Sequence, residues 1–350
     1  MADVLLLTGR DLQFRAVRFV VVTIGVTVVM ALLFLMTGLI EQFNQEPFDA
    51  VDAVGASHWV VPEGVSGPFT ASATLSPDTA AAVDGPEAAQ NLEARGSLNA
   101  PGAEATEALV IGHEPGLGAP SPTDGRAAAA SGEVVVDRTA GFEIGDEIAL
   151  GATPLTVVGV HDDTTVLAGL PVVFLDIGEA RVALFDGREV VTGVVLSGEP
   201  EALPPGTAAL TAHQVAADAL GPLENAVSSV DLIRALLWMV AAIIIGAVVY
   251  LSALERQRDF AVLKAMGVPS RSLVISIGLQ AVIIALSAVA LAAVLQALIE
   301  PVFPLRVRVP AKAYWQIPLV AVVVAILAGL GGMRSVTRSD PAAAFAGPGV

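Results

Sequence analysis

The segment Glu255-Arg256-Gln257-Arg258-Asp259-Phe260-Ala261-Val262-Leu263-Lys264-Ala265-Met266-Gly267-Val268-Pro269 carries the most informative side-chain pattern in the sequence. Its charged start is followed by apolar residues at helical spacing. Phe260, Leu263 and Gly267 stand at i, i+3 and i+7, and Val262 and Met266 at i and i+4. Gly267 and Pro269 end such a helix. The chemistry of this pattern is recognition, in one of two forms. The helix docks into a partner's groove, or it lies on the lipid surface with Arg and Lys as anchors.

Patterns that would support catalysis are missing. A phosphate-binding loop needs Lys followed by Ser or Thr, whereas the two lysines, Lys264 and Lys312, are each followed by Ala. The four histidines, His58, His113, His161 and His213, lie far apart and lack metal-protease spacing. His161-Asp162-Asp163 is the one dense polar cluster, able to bind a cation but more simply a solvated turn after a strand. Gly64-Val65-Ser66-Gly67 has the wrong spacing for a nucleophile elbow. Cysteine is absent, which excludes disulfides and thiolate metal sites. No catalytic or metal-ligating residue is therefore expected, and no substrate-binding residue can be named.

The elements that position the charged segment are long apolar runs. Of 350 residues, 54% are hydrophobic and 15% charged, against about 25% charged in a soluble domain. Uncharged runs cover Phe19–Ile40, Ala235–Leu254, Ser272–Ile299 and Ala313–Met333, of 22, 20, 28 and 21 residues. Each is long enough for a bilayer core of about 30 Å. They define transmembrane helices at 19–40, 231–254, 272–299 and 313–333. An N-terminal segment 1–18, the charged segment 255–271, a short loop 300–312 and a tail 334–350 fall between and around them. The first run is too long for a signal peptide, and no cleavage pattern follows it. The spans hold no charge, which argues against an ion-coupled transporter.

Residues 41–230 hold 28 acidic residues against five arginines and no lysine, a net charge of −23 within a chain of net −17. Nucleic acid is excluded as a partner by that balance. Nine cations flank the spans on the side of the termini and the 255–271 link, against Arg306, Arg308 and Lys312 on the other. The positive-inside rule therefore puts both termini in the cytoplasm and residues 41–230 outside. Within this domain, valine-rich runs bounded by turn residues read as strands: His58–Pro62, Ala108–Gly112, Glu133–Asp137, Glu147–Leu150, Leu155–His161, Pro171–Asp176 and Val190–Ser197. Glu143-Ile144-Gly145-Asp146 reads as a tight turn. Glu41–Val54 and Thr211–Ser228 read as helical stalks. The fold class expected is a membrane protein of four transmembrane α-helices (1+3), with a large α+β extracytoplasmic domain inserted between helices 1 and 2.

The charged segment resembles the signature of the FtsX-like, MacB-type ABC transporter permease family, an E-R-x-[RK]-[ED]-[apolar] start and a [RK]-A-[apolar]-G finish just after the second span. Glu255, Arg256, Arg258, Asp259, Lys264, Ala265 and Gly267 carry the match. The 1+3 layout also resembles the family's. So do Gly141-Phe142-Glu143-Ile144-Gly145-Asp146 through Val157-Val158-Gly159-Val160, and the tail Asp340-Pro341-Ala342-Ala343-Ala344-Phe345. Residues 55–130 carry no recognised element.

The resemblance implies the membrane subunit of an ABC complex in the bacterial cytoplasmic membrane. It implies a cytoplasmic ABC ATPase subunit that binds ATP and Mg, with no cofactor in this chain. A second permease copy, in a homo- or heterodimer, would complete the membrane part. Glu255, Arg256, Arg258, Asp259, Phe260, Leu263, Lys264, Met266 and Gly267 would then form the coupling helix that contacts the ATPase. Hydrolysis would move the outer domain, a mechanotransmission serving export or extraction of a lipid, lipoprotein, peptide or drug. Two alternatives stand beside it: control of an extracytoplasmic cell-wall hydrolase as the outer partner, or a membrane-anchored receptor or scaffold without an ATPase.

Overall fold

The uncharged runs fold as long helices and the short valine-rich runs as strands, as their periodicities require. A computed structural model describes residues 16–337 apart from 72, 103, 256–261, 263–265, 267, 268 and 304. The chain divides into two units. One comprises the residues up to Glu41 and from Ser228 onward, and the other is Gln42–Val227. The long helices are α1 (Ala16–Val54), α5 (Glu224–Glu255), α6 (Ser270–Ile299) and α7 (Ala313–Thr337). The short helices α2 (Pro77–Ala81), α3 (Ile177–Phe185) and α4 (Ala212–Leu220) belong to the inserted unit. The boundary between units falls inside α1 and inside α5.

The helical segments Val20–Val54, Ala212–Leu251 and Gly278–Val302 are long and apolar enough to cross a bilayer. The 25-residue α7 adds the apolar segment Ala313–Leu327. Met30, Leu33 and Phe34 of α1 and Ile245 and Val249 of α5 share one core with two alanine rows. Ala281, Ala285, Ala288 and Ala292 form the row on α6, and Ala313, Ala321 and Ala325 lie along α7. Small residues at helical spacing let backbones approach, which replaces the hydrophobic drive that lipid does not supply. Where α6 ends, the buried Gln296 donates to Glu300 at 2.6 Å and accepts from the Tyr314 hydroxyl at 3.2 Å. The Tyr314 ring sits 5.3 Å from that of Phe34, and Lys312 pairs with Glu41 at 3.0 Å.

The inserted unit is built on one mixed sheet of eleven strands: β1 (His58–Pro62), β2 (Ala89–Asn99), β3 (Thr106–His113), β4 (Asp124–Gly125), β5 (Glu133–Asp137), β6 (Glu147–Leu150), β7 (Thr153–His161), β8 (Thr165–Val166), β9 (Leu170–Asp176), β10 (Gly193–Leu196) and β11 (Thr207–Thr211). Six of these strands close a ring in the order β2-β3-β9-β5-β7-β6 and back to β2. β2 is long enough to serve two neighbours along one edge, β10 at Ala89–Asn91 and β6 at Leu98–Asn99. Beyond β10 the sheet continues through β1 to β11.

Alternation decides the packing. Val173 and Leu175 of β9 and Val134 and Val136 of β5 join one core with Leu92, Leu98, Val110, Leu150 and Leu155. Val172, Phe174 and Val135 join the other with Trp59, Leu109 and Ile111. That second core takes Ala50, Val51 and Val54 of α1 and Val215, Ala216 and Ala219 of α4. Strands buried on both faces read as continuous Val runs, which is why β5 and β9 stand out in the sequence.

One stalk differs from the helix expected over Thr211–Ser228. Thr211 ends β11 and caps α4, exchanging hydrogen bonds with Gln214 in a capping box. A 3-10 turn at Gly221–Leu223 then separates α4 from α5. Pro222, lacking an N–H, cannot continue an α-helix. The Glu143–Asp146 turn is as expected: Asp146 N–H donates to the Glu143 carbonyl at 3.1 Å, and Glu143 N–H to the Asp146 carboxylate at 2.8 Å.

Gly125 in β4 has φ +85, and a Cβ there would lie 2.4 Å from the Val158 carbonyl oxygen and 2.9 Å from the Gly159 Cα. Both are backbone atoms of β7 and cannot swing aside. Gly125→Ala is expected to destabilise the inserted unit by about 2 kcal/mol or more. Gly206→Ala, at φ +78 with open space around it, should cost only the backbone strain, about 1 kcal/mol. Thermal unfolding of the detergent-solubilised chain compares the two, and equal losses would refute the steric argument.

Candidate functional site

The charged segment lies between α5, which ends at Glu255, and α6, which begins at Ser270. Val262 and Met266 are described and form one helical turn, with Met266 N–H donating to the Val262 carbonyl at 3.0 Å. Both side chains are exposed, at 52% and 68%. An apolar i, i+4 pair facing outward is the arrangement a docking helix needs. Arg256, Arg258, Asp259, Phe260, Leu263, Lys264 and Gly267 lie outside the described residues, as does the side chain of Glu255.

Several polar groups of the inserted unit are tied up in internal contacts. Arg138 Nε donates to Asp162 at 2.7 Å and its Nη2 to Asp124 at 2.6 Å, so part of the His161–Asp163 cluster is engaged by a guanidinium. Among the described residues, no three His, Asp or Glu side chains converge to hold a metal ion. A cleft of 610 Å³ is lined by His113, Arg126, Ser131 and Asp176, together with prolines and the alanines Ala127–Ala130. Arg126 is committed to Glu133 through both terminal nitrogens. That pairing, with N–H bonds from Ala129 and Ala130, holds the Glu133 carboxyl down to about 2. Asp176 caps α3 by accepting from Gly178 and Glu179. Burial pushes His113 below its usual 6.5.

Three acids sit inside the unit, and sequence reading singled out none of them. Asp137, at the end of β5, is fully buried. It accepts Thr139 N–H at 2.8 Å, the Thr139 hydroxyl at 2.5 Å, Thr164 N–H at 2.8 Å and the Thr164 hydroxyl at 2.9 Å. Glu46, in α1, accepts Gly169 N–H at 2.6 Å and Ala168 N–H at 3.2 Å. Leu167 and Ala168 both hold positive φ, 53 and 71, ahead of Gly169 at 96. Left-handed backbone costs an L residue about 1–2 kcal/mol, so an anchored carboxylate has strain to offset here. Asp-x-Thr after a valine run is the one local hint, because it forms a side-chain turn at Asp137.

Glu93 is the third. Burial pushes its carboxyl up from 4.5 to about 7. Thr192 Oγ1 accepts Glu93 N–H at 2.8 Å and bonds to the Glu93 carboxyl. It also reaches the Asn91 carbonyl at 3.3 Å. A hydroxyl has one proton; if Thr192 donates it to Asn91, the carboxyl must donate to Thr192, and a protonated Glu93 does so. A carboxyl with a raised folded pKa favours the folded state fully below the unfolded value of 4.5. It loses that advantage as pH climbs to about 7. The total is at most about 3 kcal/mol. Glu93→Gln, whose amide donates at every pH, is expected to gain stability relative to the parent between pH 5 and pH 7.5. His113 works in the opposite direction below 6.5 and is common to both proteins, so the difference in melting temperature isolates Glu93. A pH-independent difference would refute the assignment.

Two family models together match most of the chain. Residues 19–213 match the family described as MacB-like periplasmic core domain, and residues 232–341 match FtsX-like permease C-terminal. "Uncharacterized ABC transporter permease Rv2563" of Mycobacterium tuberculosis (strain ATCC 25618 / H37Rv) is 38% identical over 343 residues, 97% of this chain and 98% of that one. "Uncharacterized ABC transporter permease Rv0072" of the same strain is 38% identical over 344 residues, with the same coverage. The solved periplasmic region of MacB from Actinobacillus actinomycetemcomitans aligns at 12% identity with a TM-score of 0.33, over 47% of this chain and 92% of that one. A superposition that loose carries no argument.

Proposed function

The chain belongs to the FtsX-like, MacB-type family of ABC transporter permeases, and from that premise we propose that it is the membrane subunit through which a separate ATPase does work on the far side of the bilayer. The observation that carries the reading is the exposed Val262/Met266 turn, set in the link between two spans where the family's charged signature also falls. Residues 255–269 dock on the ATPase, and both chain termini lie on the same cytoplasmic side. Residues 41–230 are extracytoplasmic, and α1 and α5 link them to the spans without a break. The uncharged spans favour mechanical transmission over a path for a charged solute. The work is export or extraction of a lipid, lipoprotein, peptide or drug, carried out by a dimer of permease chains.

Purification of the full chain from its native membrane in mild detergent tests this. An ATP-hydrolysing subunit at one copy per permease is expected. Recovery without any ATPase would overturn the reading in favour of an anchored receptor. Capture of a cell-wall hydrolase by the inserted unit would replace export with enzyme control.

A further inference from the structure

The two strands β8 and β9 form a hairpin held at both ends by buried carboxylates. Thr164, just before β8, is fixed by Asp137 at the end of β5. The hairpin's turn, Leu167-Ala168-Gly169, is fixed by Glu46 of α1, which is 1% exposed. Thr165, in β8, adds a side-chain hydrogen bond to the same carboxylate. Three consecutive positive φ values turn two successive N–H groups toward one point, and the Glu46 carboxylate occupies that point. The turn leads directly into β9, which pairs with β3 on one side and β5 on the other inside the ring.

This part of α1 also packs through apolar side chains, with Ala50, Val51 and Val54 in one core with Trp59 and Phe174, and its Val54 carbonyl accepts Gly118 N–H at 3.2 Å. Apolar contacts are non-directional and tolerate sliding. Charge-assisted hydrogen bonds to backbone N–H groups fix position and direction. Pro47 follows Glu46 inside the helix and removes one backbone bond of its own turn, so α1 is weakened just where its side chain grips the hairpin. A carboxylate clasp on a strained turn, next to a weakened helical turn, is an outlier of the kind that functional sites retain.

We propose that Glu46 is a positioning residue of the transport cycle, the point at which α1 grips the β8–β9 hairpin so that displacement of the helix reaches β9 and the ring. This inference rests on the reading that ATP turnover moves α1. It adds the residue through which that movement enters the inserted unit.

Hydrogen exchange of the full chain with its ATPase in lipid nanodiscs, with and without ATP, tests the proposal on the parent, Glu46→Gln and Glu46→Ala. In Glu46→Ala the amides of Ala168 and Gly169 should exchange at least about tenfold faster. The ATP-dependent change in β9 and β5 should be lost while basal ATP turnover persists. Glu46→Gln keeps an acceptor and should retain part of the response, which a purely destabilising change would not reproduce. An ATP response in β9 equal to the parent's in both variants would overturn the role of Glu46 and leave the mechanical reading standing. A parent that shows no ATP response at all would overturn the mechanical reading and this role with it. Unchanged exchange at 168 and 169 in Glu46→Ala would show that the clasp itself is absent.

Discussion

Replacement of both Val262 and Met266 by aspartate is expected to reduce recovery of the ATPase with the chain by about thirtyfold or more, with membrane insertion unchanged. Both side chains are exposed and one helical turn apart, so neither substitution disturbs a core. In a docked complex each would place a carboxylate in a desolvated apolar pocket. The loss of a central contact costs about 2 kcal/mol or more, which is the thirtyfold change. Reversal of Arg256 and Arg258 to glutamate should act differently. Rim charges set encounter rate and salt dependence more than residence time, so the weakening should be smaller and should shrink as salt rises. A lipid-anchoring helix predicts another pattern: the aspartates would leave ATPase binding intact, and the Arg reversals would loosen the segment from anionic vesicles. Undiminished ATPase recovery and ATP turnover in both sets would overturn the coupling assignment.

The sequence made some of this structure readable because its signals are local. Val134–Val136 and Val172–Phe174 are buried on both faces, so their strands appear as unbroken apolar runs. The membrane unit is legible from length and lack of charge. By contrast β2, with eleven residues the longest strand of the sheet, was invisible. Its sequence, Ala-Gln-Asn-Leu-Glu-Ala-Arg-Gly-Ser-Leu-Asn, contains no β-branched residue and several helix formers. It is a strand because β3 pairs with it along eight residues while β10 and β6 share its other edge. Tertiary pairing outweighs propensity there. The polar clasps were illegible for a related reason. Glu46 meets its N–H partners 122 and 123 residues further on, and Asp137 meets Thr164 across 27. Apart from the Asp-x-Thr turn at Asp137, nothing near either acid marks it as different from the other carboxylates of a net −23 domain. The charged segment is legible as a pattern, since Val262 and Met266 stand at helical i, i+4 spacing in the sequence and are both exposed.

Asp137→Ala is expected to destabilise the inserted unit by about 3–5 kcal/mol, close to the whole margin of an ordinary domain. Two backbone N–H groups and two hydroxyls converge on this carboxylate within 2.9 Å. The hydroxyls can turn to other acceptors, but the N–H of Thr164 is fixed by a fully buried residue and would lose its partner without gaining water. Asp137→Asn keeps one acceptor oxygen and sets an amide N–H₂ against the donors at the other. An intermediate loss of at least about 1 kcal/mol should follow. Denaturant midpoints of the solubilised chain measure both, and a loss under about 1 kcal/mol for Asp137→Ala would refute the clamp. The two ends of the hairpin should also depend on one another. If Asp137 and Glu46 hold a single rigid β8–β9 unit, the double variant should lose less than the two single losses combined, by about 0.5 kcal/mol or more. The first cut already frees the turn that the second would release. Strict additivity would mean that the hairpin is two independent attachments, and that a pull on α1 stops at the turn without reaching β5.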